Sequence, residues 1–134
     1  MPRDDFEPVH VELDWYDGIR SGIAAVDGVP HYFRSENFTD LIDEGAYLVW
    51  PADDEVLALE REQSAIYFAA QARGDRHPGE GGVDARYDEL ELLLEPRREP
   101  PPDARRLFAQ WRHAPNPHQP DHGGGYWVRW RTTA

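Results

Sequence analysis

Residues 9–16 alternate strictly, with Val9, Val11, Leu13 and Trp15 on one side and His10, Glu12, Asp14 and Tyr16 on the other. A period of two is what a strand with one buried face imposes on its sequence. Asp17-Gly18 follows, a dipeptide suited to the positive φ angles of a tight hairpin turn. Residues 19–26 form a second strand, with Ile19, Ile23 and Ala25 on one face, and Asp27-Gly28 is a second turn of the same kind. Val29–Arg34 is a third strand, placing Val29, His31 and Phe33 on one face and Tyr32 on the other. Pro30 lacks a backbone donor and suits a strand start or an edge. Together these segments predict a three-stranded antiparallel meander.

Residues 35–45 are polar and read as a loop, and Ala46–Trp50 reads as a short central strand ended by Pro51. Asp53 is a suitable helix N-cap, and Asp54 and Glu55 place carboxylates where they oppose the helix dipole. Val56, Leu59, Gln63, Ile66 and Ala70 share one stripe, which predicts a helix over about 54–72. After the glycine-rich stretch Gly74–Gly82, Asp84 can cap a second helix over 85–95, with Tyr87, Leu90, Leu93 and Leu94 on its apolar face. Pro96 and the run Pro100–Pro102 stop it. Arg105–His113 admits two readings, a helix capped by Asp103 or a strand with Leu107, Ala109 and Trp111 on one side. The strand is preferred, because Tyr126–Thr132 alternates like a strand and needs a partner. The fold class is thus α+β in a single domain, 1–134. An antiparallel sheet of a three-stranded meander, a fourth strand and a C-terminal strand pair packs with two helices.

Composition narrows the chemistry. The chain has no cysteine, which removes disulfides, thiol nucleophiles and thiolate metal ligands. It also has no lysine, so all 14 basic residues are arginine. A lysine Schiff base and a lysine-dependent phosphate loop are therefore excluded. The net charge of -12 is unevenly spread. Residues 1–96 hold 23 acidic residues against 7 arginines, whereas 97–134 hold 3 against 7. The bulk of the chain repels nucleic acid and anionic membrane, and only the last third could attract either. No apolar run approaches the length of a signal peptide core or a membrane span, so the chain reads as cytoplasmic.

Asp14-Trp15-Tyr16-Asp17-Gly18, Ser21-Gly22-Ile23-Ala24 and Gly28-Val29-Pro30-His31-Tyr32-Phe33 form a pattern. It resembles a family of small bacterial proteins of unknown function, which open with an aromatic-Asp-Gly turn and continue through a Gly-x-Pro-His-x-Phe strand. Arg105-Arg106 through Trp111-Arg112, followed by Trp127-Val128-Arg129-Trp130, is similar to their closing strand pair. The resemblance implies a fold and favours the strand at 105–113. It implies no activity and no site residue.

Five constellations could carry function. His113, His118, Asp121 and His122 are spaced as potential ligands for a divalent metal, since neutral imidazoles and a carboxylate suit zinc or nickel. The same loop is proline- and glycine-rich, and a solvated histidine-bearing loop is the preferred reading over a metal site; no cofactor is otherwise indicated. Asp14 and Asp17 with His31 could form a carboxylate–imidazole base, or serve turn and strand geometry. The glycine-rich loop before Asp84 could cradle an anion, but Asp84 occupies the place an anion would take. Asp40, Asp43, Glu44, Asp53, Asp54 and Glu55 could form an acidic docking patch or merely a soluble surface.

The fifth is the pair of C-terminal strands. Trp111, Arg112, Trp127, Arg129, Trp130 and Arg131 interleave aromatic rings with guanidinium groups. Such a surface binds a protein partner or stacks on bases; alternatively one tryptophan row is buried and the arginines cover the outside. The three serines, Ser21, Ser35 and Ser64, lie in no nucleophile motif. The leading reading is a non-enzymatic interaction module that binds a protein partner or a second copy of itself. A metal-assisted hydrolase using the histidine loop and nucleic-acid contact through the C-terminal strands are the alternatives; the charge of -12 counts against the last.

Overall fold

The computed structural model describes residues 5–15, 18–36, 45–119 and 125–133. The N-terminal segment forms β1 (Glu7–Trp15), β2 (Ile19–Val26) and β3 (Val29–Ser35), followed by β4 (Ala46–Pro51). Two helices come next, α1 (Asp54–Arg73) and α2 (Ala85–Leu94), with a 3-10 turn over Glu95–Arg98. The chain closes with β5 (Arg105–His113) and β6 (Tyr126–Arg131). This is an α+β fold with six antiparallel strands in sequential order. The strand reading of 105–113 is correct to the residue, and β1, β2 and β3 pair as an antiparallel meander, with Asp27-Gly28 turning between β2 and β3. Two compact units partition the chain: Met1–Asp53 with Pro100–Ala134, holding the strands, and Asp54–Glu99, holding the helices.

The sheet closes on itself, with β1 pairing β6 through Glu7↔Val128 and Pro8↔Trp127. Closure removes the sheet edges that would otherwise invite aggregation. Its interior is filled by side chains from every strand, among them Val9, Ala24, Phe33, Val49, Leu107 and Val128. Phe33 lies 5.5 Å from the ring of Trp111, 5.8 Å from Tyr47 and 6.0 Å from Trp130. The Tyr47 hydroxyl donates to the Ile19 carbonyl at 2.6 Å, satisfying the one polar atom that this ring brings inside. Gly22 sits opposite Phe33, where an added Cβ would stand 2.9 Å from the Phe33 ring and 2.1 Å from the Val11 carbonyl oxygen. Only glycine fits there.

Two facial assignments from the sequence need correction. Alternation places Val9 and Val11 on one face, but the register shifts between them, so Val9 pairs with Ala24 and Val11 with its neighbour Ile23. Adjacent residues of a strand face opposite ways, and the two valines therefore separate. A bulge adds twist and bend, which a narrow barrel requires. On β2, the core takes Ile19, Ala24 and Val26 instead of Ile19, Ile23 and Ala25. Every residue of β2 is buried, so its hydrophobic pattern marks no face.

Within the helical unit, α1 buries Val56, Leu57, Gln63 and Ala70, and with them the carboxylate of Glu60. Arg98 meets Glu60 through two parallel hydrogen bonds, Nε to Oε2 at 2.9 Å and Nη2 to Oε1 at 2.7 Å. The same guanidinium reaches Gln63 Oε1 at 2.6 Å and the carboxylate of Glu91. A buried carboxylate is tolerable only when it is matched in this way. Asp84 caps α2 by accepting the Tyr87 N–H at 2.9 Å, as its position in the sequence predicts. The sequence pattern places Leu93 on the apolar face of α2, but it is exposed, and burial falls on Leu90 and Leu94.

Candidate functional site

β5 and β6 pair along their whole length, and the register sorts the interleaved residues. Ala109↔Trp130 and Trp111↔Val128 lie on the core side. Phe108↔Arg131, Gln110↔Arg129 and Arg112↔Trp127 lie on the other. Alternation along a strand demands this split. Of the six residues nominated from the sequence, Trp111 and Trp130 therefore pack against the barrel core, and the Trp130 indole N–H donates to the Ala25 carbonyl at 3.0 Å. Arg112, Trp127, Arg129 and Arg131 share the opposite face. There the Trp127 indole donates to the Pro115 carbonyl at 3.0 Å.

This outer face is organised by a residue the sequence reading did not single out. Phe6, just before β1, is brought beside β6 by barrel closure. The Arg112 guanidinium carbon lies 4.1 Å from the centre of the Phe6 ring and that of Arg129 lies 5.2 Å from it. A cation over an aromatic face is attracted by the ring quadrupole. The amide of Gln110 adds a second tie, since its Oε1 accepts from both Arg129 and Arg131, the latter at 2.7 Å. One neutral oxygen thus gathers two like charges. Arg129 Nε is buried with no hydrogen-bond partner. Further along β5, Arg106 lies 5.0 Å over the Phe108 ring and is paired to Glu36 at 2.8 Å. The only advance signal of Phe6 was topological: a sheet that closes must pair its first strand with its last.

An open cleft of about 850 Å³ lies beside this array, lined by Asp5, Phe6, Glu7, Asp27, Gly28, Arg129, Trp130 and Arg131. The Glu7 carboxylate accepts the N–H groups of Asp27 at 3.1 Å and Gly28 at 2.7 Å. Both turn residues have positive φ, 53° at Asp27 and 80° at Gly28, the paired left-handed geometry of a tight hairpin.

The other constellations separate. The ring of His113 lies 4.9 Å from Tyr126, and that of His118 lies 4.8 Å from His10. Among the described residues no three histidine, aspartate or glutamate side chains converge as metal ligands. Asp121 and His122 lie outside the described residues. The described part of the loop does structural work instead. Asn116 is buried, and its side-chain amide donates to the carbonyls of Val9 at 2.9 Å and Tyr126 at 2.8 Å. It bridges β1 and β6 just where their short ladder ends. Gln119 Oε1 accepts the Tyr126 N–H at 2.7 Å beside it.

Asp14 accepts the Ser21 hydroxyl at 2.7 Å, and His31 Nδ1 lies 2.8 Å from the Val29 carbonyl. Asp14 pairs with Ser21 and His31 with Ala24, three positions apart on β2, or roughly 10 Å along the strand. The two do not form a carboxylate–imidazole pair, and Asp17 lies outside the described residues. The glycine-rich loop is closed by its own side chains, with Gly79 donating to His77 Nδ1 at 2.8 Å. Of the acidic patch, Asp53, Asp54 and Glu55 are exposed, while Asp40, Asp43 and Glu44 lie outside the described residues. Among the described residues no helix is long and apolar enough to cross a membrane. No protein family, curated protein or solved structure matches the chain.

Proposed function

We propose that this chain is a binding module without a catalytic centre, which docks an acidic segment of a partner protein on the outer face of β5 and β6. The observation that carries the reading is the ordered guanidinium array: Arg112 and Arg129 stacked on Phe6, Arg129 and Arg131 gathered on Gln110. The Phe6 ring restrains Arg112 and Arg129, so less rotamer entropy is lost when a carboxylate binds. Arginine and aromatic residues are also the types that dominate binding energy at protein interfaces. The strong acidity of residues 1–96 disfavours a long polyanion and favours a short acidic segment that touches only this face.

The test compares the full chain with an Arg112→Gln, Arg129→Gln, Arg131→Gln triple variant, with circular dichroism as the check on folding. Light scattering reads self-association, affinity capture followed by mass spectrometry reads a partner, and a gel-shift titration reads single-stranded nucleic acid. The expected result is a reproducible acidic partner that the triple variant fails to retain. A strict monomer that retains nothing specific overturns the reading. Salt-sensitive nucleic-acid binding abolished by the same substitutions replaces it with the nucleic-acid alternative.

A further inference from the structure

Two large apolar side chains of α2 face solvent. Leu92 is 74% exposed and Leu93 52%, while Leu90 and Leu94 of the same helix are fully buried. Among the described residues the other exposed large apolar side chains, Val29 and Val83, stand singly. A single exposed leucine needs no explanation, but an adjoining pair on a regular helix is surface for a partner to cover. Its surroundings are acidic. Asp88, Leu92 and Glu95 recur at i, i+4 and i+7, and Glu89 and Leu93 at i and i+4, so each leucine lies in a row with carboxylates. Residues 85–95 hold four acidic residues against the single Arg86, which is itself committed to Glu62 and Glu89. Glu95 is exposed and closes no ion pair among the described residues. The outer face of β5 and β6 has the opposite makeup. Arg112 and Arg131 are exposed there, Trp127 is half-buried, and residues 97–134 carry 7 arginines against 3 acidic residues.

Resting on the reading of β5–β6 as a face for an acidic segment, we infer that the segment is α2 of a second copy of this chain, with Leu92 and Leu93 covered at the centre of the contact and its carboxylates turned to the arginine-rich strands. An apolar centre inside a charged rim is the ordinary anatomy of a protein interface. Burial of the leucines supplies affinity, and charge complementarity selects which face they meet. The two surfaces differ, so the contact is heterologous. Each copy offers one α2 and one strand face, and copies add head to tail until a ring closes or a filament grows. Two copies at -12 repel as wholes. At ~0.15 M salt, however, charges more than about 8 Å apart are largely screened, which leaves the local contact to decide.

The experiment follows the full chain by sedimentation velocity over a concentration series, as wild type and as two double variants. Leu92→Ser with Leu93→Ser removes the apolar centre of the α2 face, and Arg112→Gln with Arg131→Gln removes exposed charges of the strand face. All four side chains are exposed, so neither variant opens a core, and circular dichroism checks that both fold. The expected wild type grows beyond a dimer as concentration rises, and each variant alone weakens self-association by at least about tenfold. Mixed in equal amounts, the two variants form a dimer and stop there. The leucine variant keeps an intact strand face, the arginine variant keeps an intact α2, and one junction is all they can make. A wild type that stays monomeric overturns the inference; if it still captures a foreign acidic partner that the arginine variant loses, the outer-face reading stands. Self-association abolished by the leucine changes but untouched by the arginine changes sets α2 against some other surface and rejects the inference. Variants that remain apart on mixing reject the head-to-tail contact.

Discussion

Inside the barrel, burial is the work of rings: Phe33 sits among Tyr47, Trp111 and Trp130 at 5.5 to 6.0 Å. In the 54–99 unit the side chain of Glu60 is buried more completely than that of Val56 in the same helix, and Arg98 makes this possible. Aromatic burial is roughly proportional to area and indifferent to partner, so it degrades smoothly when a ring is trimmed. Ionic burial is partner-specific. It degrades badly when one partner goes and scarcely at all when both are replaced by matched apolar groups. In this helical pair the network ties α1 to the turn after α2, since Arg98 reaches Glu60, Gln63 and Glu91 at once.

Three measurements would break or sharpen that contrast. Phe33→Ala has the largest expected effect, a loss of about 3–5 kcal/mol in urea unfolding, as for other large-to-small changes of a buried ring. A loss below about 1 kcal/mol would show that the rings around Phe33 do not depend on it. Glu60→Gln should cost about 2–3 kcal/mol, read as lost amide-exchange protection in α1 and α2. That figure sits below the usual cost of breaking a buried pair because the Arg98 side chain is 25% exposed. The double change Glu60→Leu, Arg98→Met should recover most of that protection, and failure to recover would mean that the network is more than a matched pair.

The smallest effect concerns pH. Burial first, and then the nearby Glu91 charge, hold the Tyr87 phenol above its usual value of 10.0. The folded chain therefore keeps this proton after the unfolded chain has lost it. The associated stability is fully present below pH 10 and declines as pH rises through the raised folded value. Tyr87→Phe should flatten this alkaline slope in the exchange protection of α2, and an unchanged slope would remove Tyr87 as its source.

Much of the architecture was legible because its signals are local. The Asp27-Gly28 dipeptide turns the chain between β2 and β3, Asp84 announces α2, and the alternation of Tyr126, Val128 and Trp130 against Trp127, Arg129 and Arg131 separates the two faces of β6. The candidate surface was half legible for the same reason. Its arginines and Trp127 could be nominated, but Trp111 and Trp130 were grouped with them although the register turns both toward the core. Phe6 escaped notice because nothing within ten residues of it marks it as part of a surface 100 positions away.

The sequence by itself determined the number and order of the strands and the two helices, the absence of thiol and lysine chemistry, and the crowding of arginine and tryptophan into the last third of the chain. Tertiary structure alone decided that the sheet closes, that the register shifts between Val9 and Val11, that Glu60 goes inside with Arg98, and that the Phe6 ring meets two arginines. Strand period and turn chemistry depend on neighbours a few positions apart, whereas closure, burial of a charge and a stacked cluster depend on which distant segments meet.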